Sequence, residues 1–271
     1  MKKAKLFVPI ILVLFIFSCK NEKRPNSKIN ETSQNQNAVS KPSKEETNSS
    51  VSIIPIEHAT AILQWNDITV YIDPVGGAKA FEGQELPDLI LITDIHGDHL
   101  SVETLQELNT SRAKIIAPKA VADKLPEEFT TQLDILANGE SKKRFGITVE
   151  AIAMYNLREE AKNFHEKGRG NGYVLKMGDQ RIYFSGDTED IPEMRSLKNI
   201  DMAFVCMNLP YTMTVESAAK GVLAFKPKQV YPYHYRGKPD VSDVAKFKEL
   251  VNTGNPDIEV VQLDWYPNNE Y

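Results

Sequence analysis

The chain has 271 residues, of which 41% are hydrophobic and 25% are charged, and its formal net charge is −5. This length allows one large domain or two small ones. The acidic balance, and the lack of a block of clustered lysine and arginine after residue 50, argue against nucleic acid as a partner.

The start of the chain is typical of an export signal. Lys2, Lys3 and Lys5 precede an apolar run from Leu6 to Phe17. A basic start followed by a short apolar run is the pattern of a secretory signal. The run has about a dozen residues, whereas a helix that spans a bilayer needs about twenty. An uncleaved membrane anchor is the alternative.

The end of this run, Ile16 to Cys19, resembles the lipobox of bacterial lipoproteins. The resemblance implies a signal peptide over residues 1–18, cleavage before Cys19 and a lipid on the Cys19 sulfur. Lys20 resembles the residue that sorts such proteins to the outer membrane. We therefore expect a lipid-anchored protein of the bacterial cell envelope, and the sequence leaves open which face of the membrane it occupies.

The segment that follows is polar. Between Lys20 and Ser50 the chain is rich in asparagine, serine, lysine, glutamate, threonine and glutamine and contains no aromatic residue. Such a segment buries too little surface to offset its ordering entropy. Residues 19–50 are therefore predicted to be the lipidated cysteine and a disordered tether, and residues 51–271 a single α/β domain.

The second cysteine, Cys206, lies in the apolar run from Met202 to Met207. With Cys19 lipidated, no internal disulfide can form, and a free cysteine buries readily. We therefore expect Cys206 to be a small core residue.

Strand-like and helical patterns alternate along the predicted domain. Runs rich in valine, isoleucine and tyrosine predict these strands: Val51–Ile56, Ala59–Gln64, Ile68–Ile72, Leu89–Thr93, Lys114–Ala117, Ile147–Met154, Tyr173–Met177, Arg181–Ser185, Met202–Cys206, Gln229–Tyr233 and Glu259–Leu263. Helical spacing predicts helices over Ser101–Leu108, Lys119–Leu125, Pro192–Leu197, Thr214–Phe225 and Ser242–Asn252, with Ser101 and Ser242 as N-caps. Two sheets packed face to face with helices outside fit this order, and composition alone does not separate them from a three-layer α/β fold.

The strongest chemical pattern follows the strand that ends near Thr93. Asp94 and His96 point to the same side while the chain is extended. Gly97 then permits a tight turn, so Asp98 and His99 can face the same point. Imidazole and carboxylate groups suit zinc, manganese or iron. Four such side chains in six residues predict metal binding, with a polar helix-capping loop as the alternative.

This segment resembles the H-x-H-x-D-H signature of metallo-β-lactamase-fold hydrolases, with Asp94 in place of the first histidine. Other short motifs keep the order found in the branch of ascorbate-6-phosphate lactonase-like proteins: His58-Ala59-Thr60, Ile72-Asp73-Pro74, Asn163-Phe164-His165, Gly170-Asn171-Gly172-Tyr173, Ser185-Gly186-Asp187-Thr188, Tyr211-Thr212-Met213-Thr214 and Pro232-Tyr233-His234-Tyr235. The resemblance covers nearly all of residues 51–271. It implies a four-layer αββα sandwich.

The resemblance also implies a two-metal site. One metal would be held by Asp94, His96 and His165, the other by Asp98, His99 and His234, and Asp187 would bridge them. Each of the more distant ligands has a simpler alternative: an exposed loop histidine for His165, a turn residue for Asp187 and a core histidine for His234. All five histidines of the chain fall on positions that the family uses.

Two further residues are expected beside the ligands. Asp73 is interpreted as the acceptor that orients the signature loop, or as a cap at the strand end. His58 is interpreted as a neighbour of the ligands or of the substrate, or as a packing residue.

The aspartate at position 94 has a chemical consequence. A carboxylate adds negative charge and a hard oxygen ligand, which favours manganese or iron relative to zinc and weakens the Lewis acidity of that metal. Asp94→His is therefore predicted to shift the metal preference toward zinc.

The predicted activity is hydrolysis of an ester, lactone or phosphoester of a small molecule by hydroxide shared between two cations. Asp98 and His234 are the expected catalytic residues, and Tyr155, Tyr211 or Tyr235 can supply a donor. Nuclease and antibiotic hydrolysis are alternatives that the acidic domain and the altered first ligand disfavour. A further alternative is an envelope lipoprotein that binds metal or ligand without catalysis.

Overall fold

The computed structural model describes residues 50–267. The predicted signal peptide, Cys19 and the predicted tether up to residue 49 lie outside the described residues. Within the described part of the chain, no helix is long and apolar enough to cross a bilayer.

The first sheet has six strands in sequence order. They are β1 (Ser52–Glu57), β2 (Thr60–Trp65), β3 (Ile68–Ile72), β4 (Leu89–Leu91), β5 (Lys114–Ala117) and β6 (Leu133–Ile135). The first three strands pair antiparallel, and β3 to β6 pair parallel.

The second sheet has seven strands, with β13 and β7 at its edges. They are β7 (Ser141–Arg144), β8 (Ile147–Met154), β9 (Gly170–Met177), β10 (Gln180–Phe184), β11 (Met202–Val205), β12 (Gln229–Pro232) and β13 (Glu259–Val260). β7 to β10 pair antiparallel, and β10 to β13 pair parallel.

Within residues 50–267, five α-helices connect the strands: α1 (Val102–Glu107), α2 (Lys119–Ala122), α3 (Pro192–Arg195), α4 (Val215–Phe225) and α5 (Val244–Gly254). Short 3₁₀ turns lie at Ala78–Phe81 and Glu127–Phe129. Ser101 caps α1 as predicted, since its hydroxyl accepts the Thr104 N–H at 3.1 Å. The predicted cap of α5 is wrong: Asp243, not Ser242, accepts the Lys246 N–H.

The two faces of the first sheet belong to different cores because side chains alternate along a strand. Leu63 of β2 packs in the core between the sheets, together with Tyr173 of β9. Its neighbour Ile62 faces the other way, toward Leu105 of α1 and Val121 of α2. On the second sheet, Met194 of α3, Val222 of α4 and Phe247 of α5 pack with the buried residues of the strands. The predicted four-layer αββα sandwich is therefore confirmed.

Two strands, β6 and β7, were not expected from the sequence. β6 has three residues, and β7 reads Ser-Lys-Lys-Arg without apolar alternation. Both are edge strands, where solvent satisfies one side and the hydrophobic pattern is weak. Cys206, by contrast, is fully buried as predicted.

Candidate metal centre

The site is built at the ends of four strands. Asp73 follows β3 directly, Asp94 follows β4, Asp187 follows β10 and His234 follows β12. β3 and β4 are parallel neighbours, and β10 to β12 are parallel, so their carboxyl ends meet at the same edge of each sheet. Ligand sites of α/β proteins form at such edges.

The loop after β4 makes a tight turn. The His99 N–H and the Leu100 N–H both donate to the His96 carbonyl oxygen, at 3.0 and 2.8 Å. The turn predicted at Gly97 is therefore present, although the φ of Gly97 lies outside the left-handed region and, chain neighbours aside, no described atom comes within 4 Å of where its Cβ would lie.

One group of ligand atoms forms around Asp94. Its Oδ2 lies 2.9 Å from Nδ1 of His96 and 3.9 Å from Nε2 of His165. Asp94 is fully buried, and His165 is 1% exposed, so the alternative of an exposed loop histidine is excluded. The three side chains have the composition and spacing of a metal site.

A second group forms around His99 and His234, whose Nε2 atoms are 3.1 Å apart. Asp98 lies beside both, with Oδ1 3.9 Å from His99 and Oδ2 3.5 Å from His234. Nδ1 of His234 has no hydrogen-bond partner among the described residues, so this histidine is not a satisfied core residue.

Asp187 lies between the two groups. Its Oδ2 is 3.0 Å from Nε2 of His165, and its Oδ1 is 3.0 Å from Nε2 of His234. The structure therefore brings together all seven side chains that the sequence predicted as ligands, and Asp187 contacts both groups.

Asp73 supports the second group from behind. Its Oδ2 accepts from Nδ1 of His99 at 2.8 Å and from the Thr93 hydroxyl at 2.6 Å, and its Oδ1 accepts the Thr93 N–H at 2.7 Å. A carboxylate at Nδ1 places the proton there and leaves the Nε2 lone pair of His99 directed into the site. Asp73 thus orients a histidine and does not simply cap a strand.

His58 links Asp98 to the C-terminal part of the chain. The Tyr266 hydroxyl lies 2.8 Å from Nδ1 of His58 and also accepts the Arg236 N–H at 3.0 Å. Nε2 of His58 lies 3.4 Å from Oδ2 of Asp98. Because an ionised carboxylate only accepts, the proton of the neutral imidazole is on Nε2, and the Tyr266 hydroxyl donates to Nδ1. Burial and the neighbouring His234 lower the pKa of His58 to about 4, which keeps this imidazole neutral at neutral pH.

Backbone strain is concentrated here. His58, Asp73 and His234 have φ values of 56°, 45° and 47°. Residues with side chains rarely adopt this left-handed region, and they persist there when the surrounding structure fixes them.

A cleft of about 280 Å³ opens onto the two groups. Its lining includes Asp98, Phe164, Asn208 and Tyr211, and the Phe164 and Tyr211 rings meet edge to face at 5.3 Å. Of the three tyrosines suggested as donors, Tyr211 lies in this lining. The Tyr155 hydroxyl instead donates to Glu193, and the Tyr235 ring packs on Tyr266.

Comparison with known proteins agrees with the metal site that the geometry indicates. A family profile described as "Beta-lactamase superfamily domain" matches residues 52–234, from the first strand to His234. The chain is 32% identical to the UPF0173 metal-dependent hydrolase of Pyrococcus horikoshii over 169 residues, which cover 60% of this chain and 74% of that protein. The chain belongs to this metal-dependent hydrolase family.

Solved structures share the fold of this hydrolase. A protein from Parabacteroides distasonis described as a metal-dependent hydrolase is 34% identical, with a TM-score of 0.71, over 80% of this chain and 94% of its own. Igni18, a metallo hydrolase from Ignicoccus hospitalis, is 20% identical with a TM-score of 0.66, over 79% of this chain and 94% of its own, and shows the fold alone.

The donor set of this hydrolase fits divalent metal ions. Ligand atoms of a tetrahedral zinc site with bonds of 2.0–2.1 Å lie about 3.3 Å apart. The imidazole and carboxylate atoms around Asp187 are 3.0–3.4 Å apart. Nε2 of His165 and Oδ1 of Asp187 are buried and find no hydrogen-bond partner in the part of the chain that the structure describes, which is costly unless a cation satisfies them.

The charges of the hydrolase site are strongly coupled. Burial opposes ionisation of Asp187, but His234, His99 and His165 lower its pKa well below the usual range. Burial also opposes protonation of His99, but Asp187 and Asp73 raise its pKa well above the usual value. In the metal-free site, the protonated imidazole of His99 therefore supplies positive charge, and a bound metal ion would displace its proton.

Several residues around the site were missed in the sequence. Arg169 binds Asp94, and Asn156 donates to the carbonyl oxygens of Ala161 and Tyr211 beside the His165 ring. Arg169 leaves no signal in the sequence, because 75 positions separate it from Asp94. Tyr266 leaves no such signal either, because 208 positions separate it from His58.

Proposed function

We propose that this hydrolase uses two divalent metal ions, with zinc, manganese and iron as the candidates, to hydrolyse an ester, lactone or phosphoester of a small molecule. The observation that carries the proposal is the position of Asp187, whose two oxygens each lie 3.0 Å from an imidazole of a different ligand group. A carboxylate in that position suits a bridge between two cations.

When bound, the cations supply Lewis acidity, which lowers the pKa of water and stabilises negative charge on a substrate oxygen. The protein supplies placement and proton handling. Asp98 is the acid of the site that solvent reaches, with 40% of its side chain exposed. Burial opposes its ionisation, but the hydrogen bond from His58 and the imidazoles of His99 and His234 lower its pKa below the usual range.

Asp98 is thus an ionised acceptor that faces the cleft, and its carboxylate can take a proton from attacking water. Its Oδ2 lies 3.5 Å from Nε2 of His234. His58 donates to the same oxygen and is itself held by Tyr266. We propose that this chain of hydrogen bonds keeps the Asp98 carboxylate turned toward the reacting groups.

The cleft supports a small-molecule substrate. Its volume of about 280 Å³ is close to the lower end of ligand pockets, which span about 300–1,000 Å³. The ordered motifs around Asn171 and Thr212 resemble lactonase-like proteins, and we propose a lactone or related ester as the first substrate class to test.

We also propose that Cys19 anchors the hydrolase to the bacterial envelope, with the outer membrane as destination. The support is the basic start, the short apolar run and Ser18-Cys19. Wild-type and Cys19→Ala chains expressed with an alkyne-labelled fatty acid test this. Label on the wild type alone, in the membrane fraction, is expected, and an unlabelled wild type would contradict it.

The activity test is a panel of lactones, carboxylic esters, phosphomonoesters and phosphodiesters assayed with the metal-loaded full-length chain. We expect turnover of at least one class, loss with chelator, recovery with added zinc or manganese, and loss in His96→Ala. Asp179→Asn is the matched control, because Asp179 is exposed in the β9–β10 turn, at the far end of β9 from the site. Metal bound at stoichiometric amounts without turnover of any class would contradict the proposal.

A further inference from the structure

The first ligand position has a partner that no histidine would have. Nε of Arg169 donates to Oδ1 of Asp94 at 3.1 Å, and Nη2 donates to Oδ2 at 2.7 Å. This is the two-bond fork that a guanidinium makes with a carboxylate. Asp94 is fully buried and the Arg169 side chain is 17% exposed, so solvent screens the pair weakly.

The backbone holds the arginine in this position. Nη2 also donates to the Phe164 carbonyl oxygen at 2.5 Å. Two residues further on, the Asn171 N–H donates to the Thr93 carbonyl oxygen at 2.9 Å. These two segments of the chain can approach closely because residue 170 is glycine. A Cβ there would lie 2.9 Å from the Thr93 carbonyl oxygen and 2.3 Å from Cε of Met154.

The charges of the two side chains explain why Asp94 and Arg169 occur together. A neutral imidazole is the usual ligand at this position in the signature that the loop resembles, and an aspartate alone would add one negative charge. The guanidinium of Arg169 is always protonated and returns the sum to zero. It also occupies lone pairs on both Asp94 oxygens, which a cation would otherwise use.

We propose that Arg169 is a specificity-determining residue of the metal centre: paired with Asp94, it replaces a neutral histidine and restrains the preference of the Asp94–His96–His165 site for hard cations. The proposal rests on the proposed two-metal function. It also predicts unequal sites, since among the described residues no arginine or lysine forms an ion pair with Asp98, His99 or His234.

The first test measures metal binding to full-length chains by competition with chelators, with metal content counted by mass spectrometry. Arg169→Gln removes a positive charge next to the Asp94–His96–His165 site, which is the weaker of the two. This site is therefore expected to bind manganese about tenfold more tightly. Zinc should gain less, so the manganese-to-zinc ratio rises. Arg169→Lys keeps the positive charge and loses the two-bond contact with Asp94. Its manganese-to-zinc ratio should stay near the wild-type value.

The matched control is Arg144→Gln. Arg144 binds Asp134 through the same Nε and Nη2 fork, at 2.7 Å for both bonds, on the edge strand β7. This variant should leave both metal affinities unchanged. An Arg169→Gln chain with wild-type manganese and zinc affinities would overturn the proposal, as would an Arg169→Lys chain whose metal affinities match those of Arg169→Gln.

The second test exchanges the pair. Asp94→His alone should shift the preference of its site toward zinc, as the exchange of ligand predicts, but it should hold that zinc weakly, because it leaves the guanidinium of Arg169 unpaired beside the cation. Asp94→His with Arg169→Gln should regain zinc binding at that site. Equal zinc contents in the single and double variants would overturn the proposal. A wild-type chain that binds no metal would overturn the proposed function as well. A wild-type chain that binds two metal ions, with variants whose metal binding does not change, would overturn only the role of Arg169.

Discussion

Asp73→Asn is the substitution that separates orientation of a ligand from ligation itself. The asparagine keeps the size of the side chain and one oxygen, which can still accept the Thr93 N–H. Its amide nitrogen then replaces the oxygen that accepts from the Thr93 hydroxyl and from Nδ1 of His99, at 2.6 and 2.8 Å. To avoid two donors facing each other, His99 must carry its proton on Nε2, the atom that faces the metal site.

The expected magnitude follows from these bonds. Two buried hydrogen bonds to a charged acceptor, worth about 1.5–3 kcal/mol each, become neutral ones worth about 0.5–1.5 kcal/mol. The metal-free protein should therefore lose about 2–3 kcal/mol of stability. Loss of the partner of a metal-binding histidine costs about 10–100-fold in metal affinity, or about 1.4–2.7 kcal/mol.

The assay combines urea unfolding in chelator with zinc competition on the folded protein. Asp88→Asn is the control, since Asp88 also accepts a backbone N–H, from Thr69 at 2.9 Å, and is not among the grouped ligand residues. The control should lose stability and keep its zinc affinity. An Asp73→Asn protein that binds zinc as tightly as the wild type would refute the orienting role.

Three further outcomes are expected. Phe204→Ala should destabilise the metal-free protein by about 3–5 kcal/mol, because its ring stacks on Phe184 at 4.2 Å and on Tyr231 at 4.7 Å; an unchanged urea midpoint would contradict this. Glu189→Gln should weaken the hydrogen bond that the Glu189 carboxylate accepts from Nε of Arg158 at 2.6 Å. Backbone hydrogen exchange should then accelerate in residues 156–165, and unchanged protection would show that this bond does not hold the segment. Metal binding at pH 7 should release protons, since Asp187 and Asp73 raise the pKa of His99 against burial; the metal affinity then rises with pH, and calorimetric heats that do not change with the ionisation enthalpy of the buffer would exclude this.

Much of the fold was predictable because its strands are strongly patterned. The run from Leu89 to Ile92 and the alternation in Ile147–Met154 follow directly from burial on one or both faces. The edge strand Ser141–Arg144 was not predictable, since it is recognised by pairing with β8 and not by composition.

The ligands were predictable for a different reason. Histidine and aspartate in tight spacing carry a chemical pattern, and resemblance supplied the distant members. Arg169 and Tyr266 act through contacts between remote segments, so only the folded arrangement identifies them. The turn at Gly97 was predictable from local sequence, whereas the steric requirement for glycine at position 170 was not, because the Thr93 carbonyl oxygen that causes it belongs to a remote segment.

The central claim is that two cations occupy this site, and anomalous diffraction from crystals grown with zinc measures it most directly. Two peaks are expected, one beside Asp94, His96 and His165 and one beside Asp98, His99 and His234, with Asp187 between them. A single peak, or none within reach of these side chains, would contradict the account.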